Sequence, residues 1–531
     1  MNKTTLALAM SIATSSTAFA ANDFGLEVQN LLKAQSYKFF GIVKPLNSSE
    51  TTSVPRVDGQ KANDLIKLAN GLTAEIVTRQ AGDSSDMMAF WPNDTKPTHI
   101  VTCIEAGNDA IGTYASGTVK LTPSVQTVNL KTGEVNTILR GMIACDGIRR
   151  TPWNTIVATE EEDDGGLYEI LNPLATTEQT LVARGASETI DSEGKAVTGQ
   201  IAYRGAVGKL AWEGLDLNAQ GVLYYGDELR PGAEGANSDG GSIFKFVPSK
   251  LWDGTAVTDL SQSPLTAGTI YAYQASCQNR NSSSFPQFGQ GCEIGEGAWV
   301  KVDSTNLRAS ADANHATGYY RPEDGHFDPL YVGTGVKFCW TNTGSASAQN
   351  YGEVVCLIDA KPVGTGEVTV NNPSVNSHGL TYLADSTESK GFAVAVANRA
   401  VEGDTDLNQP DNLAFQPITG NMYVIEDHDF GDVWACLRDG KDRDIKSDGC
   451  IKVLSVRDSS AEPTGFTFTA DGKTAYLYIQ HSDDSACTDS SNCQKHDDYV
   501  TDDLIKITGF KVGKNNVLTL KGRSQRPFFI C

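Results

Sequence analysis

The sequence has few positive charges and no long apolar run beyond its first twenty residues. Its 531 residues include 43 Lys and Arg against 65 Asp and Glu, so the formal net charge is −22. A chain this acidic is a poor candidate for binding nucleic acid or an anionic membrane surface. No later run approaches the ~20 apolar residues that a membrane-spanning helix needs. The composition suits the binding of cations better.

Several catalytic motifs are also missing. The chain has no Gly-x-Ser-x-Gly elbow, no phosphate-binding P-loop and no His-Glu-x-x-His pair. A serine hydrolase, a nucleoside triphosphatase and a zincin are therefore disfavoured. His99, His315 and His326 have no ligand-like spacing, and we expect structural roles for them.

The first twenty residues have the pattern of an export signal. Lys3 precedes an apolar stretch at 6–12, and Ala18, Phe19 and Ala20 form an Ala-x-Ala cleavage site. No Arg-Arg pair precedes the apolar stretch, which favours the general secretory route over folded export. We predict a periplasmic or secreted protein with a signal peptide at 1–20.

Eleven cysteines fit an oxidising compartment. Pairs that lie close in sequence are Cys277 and Cys292, Cys339 and Cys356, Cys436 and Cys450, and Cys487 and Cys493. Local pairing would leave Cys103, Cys145 and Cys531. Spacing does not define the connectivity, but the odd count leaves at least one thiol unpaired within a monomer.

Helical periodicity is scarce outside 22–40 and 61–69, and short β-rich segments alternate with Gly, Asn, Asp and Ser turns. A hairpin of two apolar strands recurs at 213–228, 322–344, 410–427 and 464–481. Further short strands lie at 165–171, 241–248, 352–358 and 448–456. Such repeats are typical of propeller blades. We predict an all-β fold, with an N-terminal segment with helix at 21–70 and a β-propeller catalytic domain of about six blades at 71–531, with insertions such as 229–241 and 277–297.

An acidic residue stands at the head of each recurring hairpin. These residues are Glu213, Glu323, Asp411 and Glu462. Because the first strand of a propeller blade lines the channel, acids at the same end of successive inner strands converge. The five acids at 160–164, which follow another β-rich segment, are predicted to add to this ring. Such repulsion is tolerable when cations lie between the carboxylates. The alternative is that these are turn-favouring residues at loop–strand junctions.

Six blocks, in order over residues 70–485, resemble the PhoX-type alkaline phosphatases. They are CDGIRRTPWNTIVATEE (145–161), the hairpin at Glu213 with GDELRPG, YYRPEDGHFDP (319–329), NYGEVV (350–355), QPDNLAFQP (409–417) and PTGFTFTADGKTAYLYIQH (463–481). The resemblance implies a six-bladed propeller whose channel holds iron and calcium. It also implies hydrolysis of phosphate monoesters.

The resemblance also implies roles for individual residues. Cys145 would be a thiolate ligand of Fe3+, and Glu161, Glu213 and Glu323 would be carboxylate ligands. Arg321 would grip the substrate phosphate and act with Glu323 in catalysis. Ca2+ prefers oxygen ligands, and the oxygens that would hold it or shape the pocket come from Asp411, Asn412 and the acids near Glu426 and Asp427. The implied reaction is metal-assisted in-line displacement at phosphorus.

The chain departs from the family at two cysteines. Cys103-Ile104-Glu105 stands where many members have Asn-His-Glu, so Glu105 is the one ligand of that triplet that is kept. The segment between Cys145 and Thr-Pro-Trp is one residue longer than in better-known members, which would displace the thiol or let it bond to Cys103. We predict a free, metal-bound Cys145 thiolate, with Cys103 paired elsewhere and Cys531 one candidate partner.

Two residues of the family blocks have open roles. His481 either contacts a phosphate oxygen or a metal-bound water, or is a satisfied inner-strand histidine. Trp153 is expected to pack between blades rather than to touch substrate.

The preferred function is a monomeric, exported, metal-dependent phosphatase acting on a small phosphate monoester. The alternative is a calcium-stabilised, non-catalytic propeller that acts as a binding or surface protein. A propeller lactonase or phosphodiesterase is a third possibility, but it gives no role to Cys145 or to Arg321 beside Glu323. Iron together with calcium in the purified protein would support the first function, and calcium alone the other two.

Overall fold

The computed structural model describes residues 24–232, 239–275, 294–314, 316–363, 394–438, 449–482 and 494–512. The chain begins with helices α1 (Phe24–Ala34), α2 (Ser36–Phe40) and α3 (Ala62–Leu65), then strands β1 (Ile66–Leu68) and β2 (Thr73–Gly82). The helix predicted at 22–40 is present over 24–40 with a break at Gln35. The helix predicted at 61–69 ends at Leu65, because 66–68 pairs with a neighbouring strand.

The first three blades follow β2 in chain order. Blade 1 contains β3 (Ser85–Trp91), β4 (His99–Ile104), an inserted hairpin of β5 (Ala110–Thr113) and β6 (Val119–Leu121), then β7 (Pro123–Asn129) and β8 (Val135–Arg140). Blade 2 begins with β9 (Cys145–Arg150), β10 (Ile156–Glu160) and β11 (Leu167–Ile170). The chain then returns to blade 1 and extends its outer edge with β12 (Gln179–Leu181), β13 (Thr189–Ile190) and β14 (Ala196–Val197). Strand β15 (Ile201–Tyr203) completes blade 2. Blade 3 contains β16 (Trp212–Leu217), β17 (Leu223–Asp227), β18 (Ile243–Pro248) and β19 (Gly268–Ala275).

The remaining blades complete the circle. Strand β20 (Gly295–Val302) links the outer edges of blades 3 and 4 and is followed by helix α4 (Leu307–Ala313). Blade 4 contains β21 (Pro322–Phe327), β22 (Val336–Asn342), β23 (Glu353–Asp359) and β24 (Ala395–Glu402). Blade 5 contains β25 (Pro410–Phe415), β26 (Met422–Glu426), β27 (Asp432–Cys436) and β28 (Cys450–Val456), with β1 at its edge. Blade 6 contains β29 (Glu462–Phe468), β30 (Thr474–Gln480), the short β31 (Lys495–His496) and β32 (Tyr499–Thr508).

The inner strands close into a ring. Strand β3 contacts β9, and the contacts continue through β16, β21, β25 and β29 back to β3. Within the described ranges this gives six blades and confirms the predicted all-β propeller. The N-terminal strand β2 pairs antiparallel with β32, from Thr73 opposite Thr508 to Gly82 opposite Thr501. Blade 6 therefore combines strands from both ends of the propeller, and their pairing closes the ring.

An apolar cluster fills each interface between neighbouring blades. Between blades 2 and 3, for example, Trp153 packs with Trp212 and Tyr225, which confirms the expected packing role of Trp153. Its indole Nε1 donates a hydrogen bond to Glu169 Oε1 at 2.7 Å. Burial of these large aromatic groups stabilises the association of the blades.

Disulfides link cysteines within blades and between them. Cys339–Cys356 joins two strands of blade 4 and Cys436–Cys450 joins two strands of blade 5, as the local spacing predicts. The remaining local pairs, at 277/292 and 487/493, lie outside the described residues, as do Cys531, His315, the predicted signal peptide and residues 233–238 and 277–293 of the two predicted insertions.

A third disulfide corrects a prediction. Cys103 is bonded to Cys145, so the predicted free thiolate at Cys145 is wrong, and Cys103 does not pair with Cys531. The physical reason is the direction of the side chain: Cys145 packs with Cys103 in the apolar cluster between blades 1 and 2. Disulfides of this kind indicate an oxidising compartment. Over the described ranges, no helix combines the length and apolar character that crossing a membrane requires.

Candidate metal centre in the propeller channel

Every inner strand has the same irregularity near one mouth of the channel. In blade 3, Trp212 is opposite Asp227 and Leu215 is opposite Tyr225, so three steps on β16 match two steps on β17. The corresponding β-bulge occurs in each of the other blades. In a regular strand each side chain points to one face of the sheet, and a bulge changes the direction of the side chain at that position. The sequence therefore places one specially oriented residue per blade at the same level of the channel.

That residue is acidic in all blades but the sixth. We define the acid ring as the bulge residues Asp86, Asp146, Glu213, Glu323 and Asp411. The corresponding residue of blade 6 is Gly465, which has a φ of 58°. A Cβ atom at Gly465 would lie 2.5 Å from the carbonyl oxygen of Asp86. The sixth position thus has no room for a side chain, and five carboxylates share the space.

Glycine also lets the inner strands approach closely. A Cβ atom at Gly214 would lie 2.1 Å from the backbone nitrogen of Gly325 in the next blade. A Cβ atom at Gly147 would lie 2.3 Å from the carbonyl oxygen of Glu213. Both glycines directly follow an acid-ring residue. Their missing side chains allow the backbone approach that brings the neighbouring carboxylates together.

Two overlapping groups of carboxylates have the spacing of metal ligands. Oxygens of Asp146, Glu161 and Glu213 lie within 4.8 Å of one another, and so do oxygens of Glu213, Glu323 and Asp411. Asp146, Glu213 and Glu323 are at most 4% exposed. Asp146 Oδ1 and Glu213 Oε2 are buried and have no hydrogen-bond partner among the described residues. Unpaired buried carboxylate oxygens are costly, and a bound cation would satisfy them.

A second set of residues surrounds the acid ring. We call them the rim residues; they directly follow the second strand of each blade and are Glu105, Glu161, Glu228, Thr343, Asp427 and His481. Strand alternation determines which residue faces the channel. Glu160, the last residue of β10, faces away and accepts hydrogen bonds from Ile143 N–H and Gly166 N–H at 3.0 Å. Glu161, the next residue, faces the channel, and one of its oxygens lies within 4.8 Å of oxygens of Asp146 and Glu213.

The acidic run at 160–164 is therefore divided between two roles. Glu160 forms a salt bridge with Arg184 at 2.8 Å, and Asp164 contacts the same guanidinium at 2.9 Å. Asp163 pairs with Arg308 at 2.5 Å. Only Glu161 of this run belongs to the metal-ligand groups found among the described residues. Glu426 resembles Glu160, since it accepts hydrogen bonds from Asn408 N–H and Asp432 N–H at 2.8 and 3.0 Å.

Arg321 is the cation that the protein itself supplies to this site. Its Nε contacts Glu228, and its Nη2 lies 3.4 Å from Glu323 Oε1 and 3.9 Å from Asp427 Oδ2. Its φ of 58° is in the left-handed region. Residues at the same position before other inner strands share this conformation: Ser84, Ala144 and Gln409. The conformation therefore belongs to the way the chain enters four of the six inner strands, and it places Arg321 beside the acids.

Burial and mutual repulsion oppose ionisation of the cation-free site. Burial raises the pKa well above its ordinary value, and neighbouring carboxylates raise it further, in Asp86, Asp146, Glu161, Glu213, Asp411 and Glu462. Burial also raises the pKa of Glu323 to about 8, although the Arg321 guanidinium opposes the shift. Burial by itself would lower the pKa of the Arg321 guanidinium, but the carboxylates of Glu323 and Glu228 outweigh this effect and raise that pKa.

Several residues singled out from the sequence lie beside the acid ring rather than in it. Glu462 precedes the bulge of β29 by three residues, because the hairpin of blade 6 is longer, and its Oε1 lies 3.6 Å from His481 Nε2. Glu105 Oε2 accepts a hydrogen bond from Gln480 Nε2 at 2.8 Å. The Asn412 amide oxygen accepts a hydrogen bond from Gly465 N–H at 2.6 Å, and its Nδ2 lies 3.4 Å from Asp86 Oδ1.

Sequence reasoning missed Asp86, Asp146 and Glu228. Asp86 and Asp146 belong to blades 1 and 2, whose first hairpins do not follow the repeated pattern closely. A usable signal was present, since Asp146 and Glu213 are both followed by Gly and then an aliphatic residue. His326, expected to be structural, lies in the channel below the acid ring, with Nε2 3.2 Å from Asp324 Oδ2.

Fold and site together define a propeller whose channel contains acidic groups that can hold metal ions. Residues 114–483 match the family model described as "Alkaline phosphatase PhoX", and the chain belongs to this family of phosphatases. The structure of Pseudomonas fluorescens PhoX in complex with vanadate, a transition state analogue, is similar with a TM-score of 0.52 and 15% identity, covering 87% of this chain and 98% of that chain. This likeness shows the fold.

More distant structures share less. The PQQ-bound aldose sugar dehydrogenase of Streptomyces coelicolor has a TM-score of 0.35 and 10% identity, covering 83% of this chain and 99% of that chain. A similarity this low carries no argument about the site. None of the curated proteins matches the sequence.

Proposed function

We propose that this protein is an exported metal-dependent phosphatase that hydrolyses phosphate monoesters in the propeller channel. The observation that carries the proposal is the acid ring, with buried carboxylate oxygens that no described group of the protein satisfies, beside the guanidinium of Arg321. Membership of the PhoX family supports the same activity. The proposed export through a signal peptide agrees with the disulfides of blades 4 and 5.

The residues fit calcium. Ca2+ takes six to eight oxygen ligands from carboxylates, amides and water, and the two ligand groups contain oxygens alone. Asp146, Glu161 and Glu213 would hold one cation, and Glu213, Glu323 and Asp411 would hold another. When bound, such cations neutralise the charge of a phosphoryl group and activate water for in-line attack. The residues fit the thiolate-bound iron implied by the family resemblance less well, because Cys145 is in a disulfide.

Arg321 would bind the phosphoryl group. Its Nε and Nη2 are oriented by Glu228 and Glu323. A guanidinium held in this way can donate charge-assisted hydrogen bonds to phosphate oxygens without reorganising during the reaction. A monoester dianion gains more from this arrangement than a diester does, because it has more charge to neutralise.

Glu323 would couple the two functions of the site. Its carboxylate is shared by the acid ring and the contact with Arg321, and Thr343 Oγ1 donates a hydrogen bond to it. Movement of Glu323 would therefore disturb both the cations and the guanidinium. Asn412 would hold Asp86 in place, and Glu105 and His481 would shape the rim.

The test is hydrolysis of p-nitrophenyl phosphate by the mature protein at neutral to alkaline pH. We expect turnover with calcium present, loss of turnover in excess chelator, recovery on adding calcium, and weaker activity on bis(p-nitrophenyl) phosphate. No turnover by protein that retains its cations would contradict the catalytic proposal. It would favour the calcium-stabilised binding propeller instead.

A further inference from the structure

The residue pair Cys145 and Asp146 occupies two different environments. The Cys145 side chain lies in the apolar cluster between blades 1 and 2, among residues such as Val101 and Ile148. It is fully buried there and bonded to Cys103. Asp146, the next residue along β9, belongs to the acid ring. The one-residue step therefore separates a sulfur that faces the core from a carboxylate that faces the channel.

Asp146 has the features of a ligand that Cys145 lacks. Its carboxylate lies within 4.8 Å of oxygens of Glu161 and Glu213. Its Oδ1 is buried without a hydrogen-bond partner among the described residues. A carboxylate in these surroundings offers a donor to a cation, whereas a disulfide sulfur has no thiolate to offer.

We infer that Asp146 takes the place of the thiolate that the family resemblance implies, so that this chain binds its cations through oxygen alone. The inference rests on the proposed cation centre and goes beyond it by naming the donor class. A centre made of carboxylates selects hard cations such as Ca2+ and gives no preference to the softer metals that sulfur favours. It also contains no sulfur ligand that oxidation could damage.

The disulfide has a positioning role in this arrangement. It joins β4 to β9, and Glu105 follows β4 while Asp146 lies in β9. The bond therefore fixes two neighbouring blades at the point where each contributes an acid to the channel. Its loss should lower the unfolding temperature and leave the set of ligand atoms intact.

The experiment compares the wild type with two variants, after removal of all metals and reloading with either calcium or ferrous iron in air. Asp146→Asn keeps the disulfide and removes the carboxylate charge. The double variant Cys103→Ser/Cys145→Ser removes both sulfurs and keeps the carboxylate. Calcium affinity is measured by titration, and a ferric thiolate is detected by its visible charge-transfer absorption.

We expect Asp146→Asn to weaken calcium binding by at least about tenfold, because loss of even an outer-shell partner costs 10–100-fold. The double variant should bind calcium as the wild type does. No iron-loaded form should show thiolate absorption. A visible band in the wild type that disappears in the double variant would overturn the inference, and so would normal calcium binding by Asp146→Asn. Neither result depends on turnover, so failure of the phosphatase proposal is distinguishable from failure of this one.

Discussion

Buried carboxylates occur in two regions of this protein with opposite surroundings. In the outer part of blade 6, Asp503 is fully buried and forms salt bridges with Arg56 at 2.9 Å and with Arg79 at 2.8 Å. In the channel, Asp146 and Glu213 are equally buried, yet each has an oxygen without a partner among the described residues. Asp503 is thus paired with two of the protein's own cations, whereas the unpaired oxygens of Asp146 and Glu213 are left to be neutralised by a cation from solution.

The cost of burial explains why this difference indicates function. A buried carboxylate without a partner loses its hydration and gains nothing in return. Folding tolerates that loss at one place when binding of a ligand compensates for it. Asp359, which lies 2.6 Å from the buried Lys245, follows the rule for structural acids. Asp146 and Glu213 do not, and their unpaired oxygens lie in the two groups of carboxylates that have the spacing of metal ligands.

The largest effect is expected from removing the carboxylate that both ligand groups share. Glu213→Ala should lose bound calcium and phosphatase activity together. The expected loss is about 4 kcal/mol of transition-state stabilisation, roughly a thousandfold in kcat/KM. Elemental analysis and hydrolysis assays on the same preparation check this. Full activity with reduced calcium would separate the ligand groups from catalysis.

Removing a structural acid should have the opposite profile. Asp503→Asn leaves two guanidinium groups without their carboxylate, and breaking a buried pair of this kind costs about 3–5 kcal/mol in free energy of unfolding. Denaturant unfolding with and without calcium measures the loss, which should be the same in both conditions. The folded variant should retain the wild-type calcium content. A loss of stability that depends on calcium would contradict the distinction between Asp503 and the acid ring.

Arg321→Ala should separate the substrate grip from the ligands. Loss of its charge-assisted hydrogen bonds should cost about 3 kcal/mol in the transition state, roughly a hundredfold in turnover. Calcium content should stay near that of the wild type. Arg321→Lys is the matched control, since it keeps the charge and loses the fork. Unchanged turnover in Arg321→Ala would remove the proposed role.

The smallest expected effect is a change in stability with pH. Because burial raises the pKa of the acid-ring carboxyls in the cation-free fold, and that of Glu323 to about 8, the folded state holds more protons than the unfolded state between about pH 4 and 8. Cation-free protein should therefore lose stability as pH rises through this window. At a calcium concentration about a hundredfold above its Kd at pH 6, calcium should restore about 2–3 kcal/mol, and the same concentration should restore more at pH 8.

Thermal unfolding at the two pH values, with chelator and with calcium, measures this dependence. Glu426 lies outside the acid ring and is the matched site for comparison, since Glu426→Gln should leave the calcium increment unchanged. An equal calcium increment at both pH values would mean that the acid-ring carboxyls are ionised without cations.

The fold was largely predictable because its repeats are local. The hairpins at β16–β17, β21–β22, β25–β26 and β29–β30 have alternating apolar residues and turn signals in the sequence. Closure of blade 6 was not predictable, because β2 and β32 lie at opposite ends of the chain. The short helix predicted over 61–69 failed where Ile66 begins a strand whose partner is remote in sequence.

The site was predictable where an acid heads a recognisable hairpin, as Glu213, Glu323 and Asp411 do. Asp86 and Asp146 escaped because the first hairpins of blades 1 and 2 do not follow the repeated sequence pattern closely. Glu462 was assigned to the wrong register because the blade 6 hairpin is longer. The free thiolate predicted at Cys145 was wrong, because its side chain faces the apolar cluster between blades 1 and 2 and is bonded to Cys103, whereas Asp146, its neighbour on the strand, faces the other side.

The most direct test of the cation centre is the calcium bound per chain, measured by elemental analysis after equilibrium dialysis of wild type, Glu213→Ala and Asp503→Asn. The account predicts at least one tightly held calcium in the wild type and in Asp503→Asn, with marked loss in Glu213→Ala. Equal calcium in all three proteins, or none in the wild type at millimolar calcium, would contradict it.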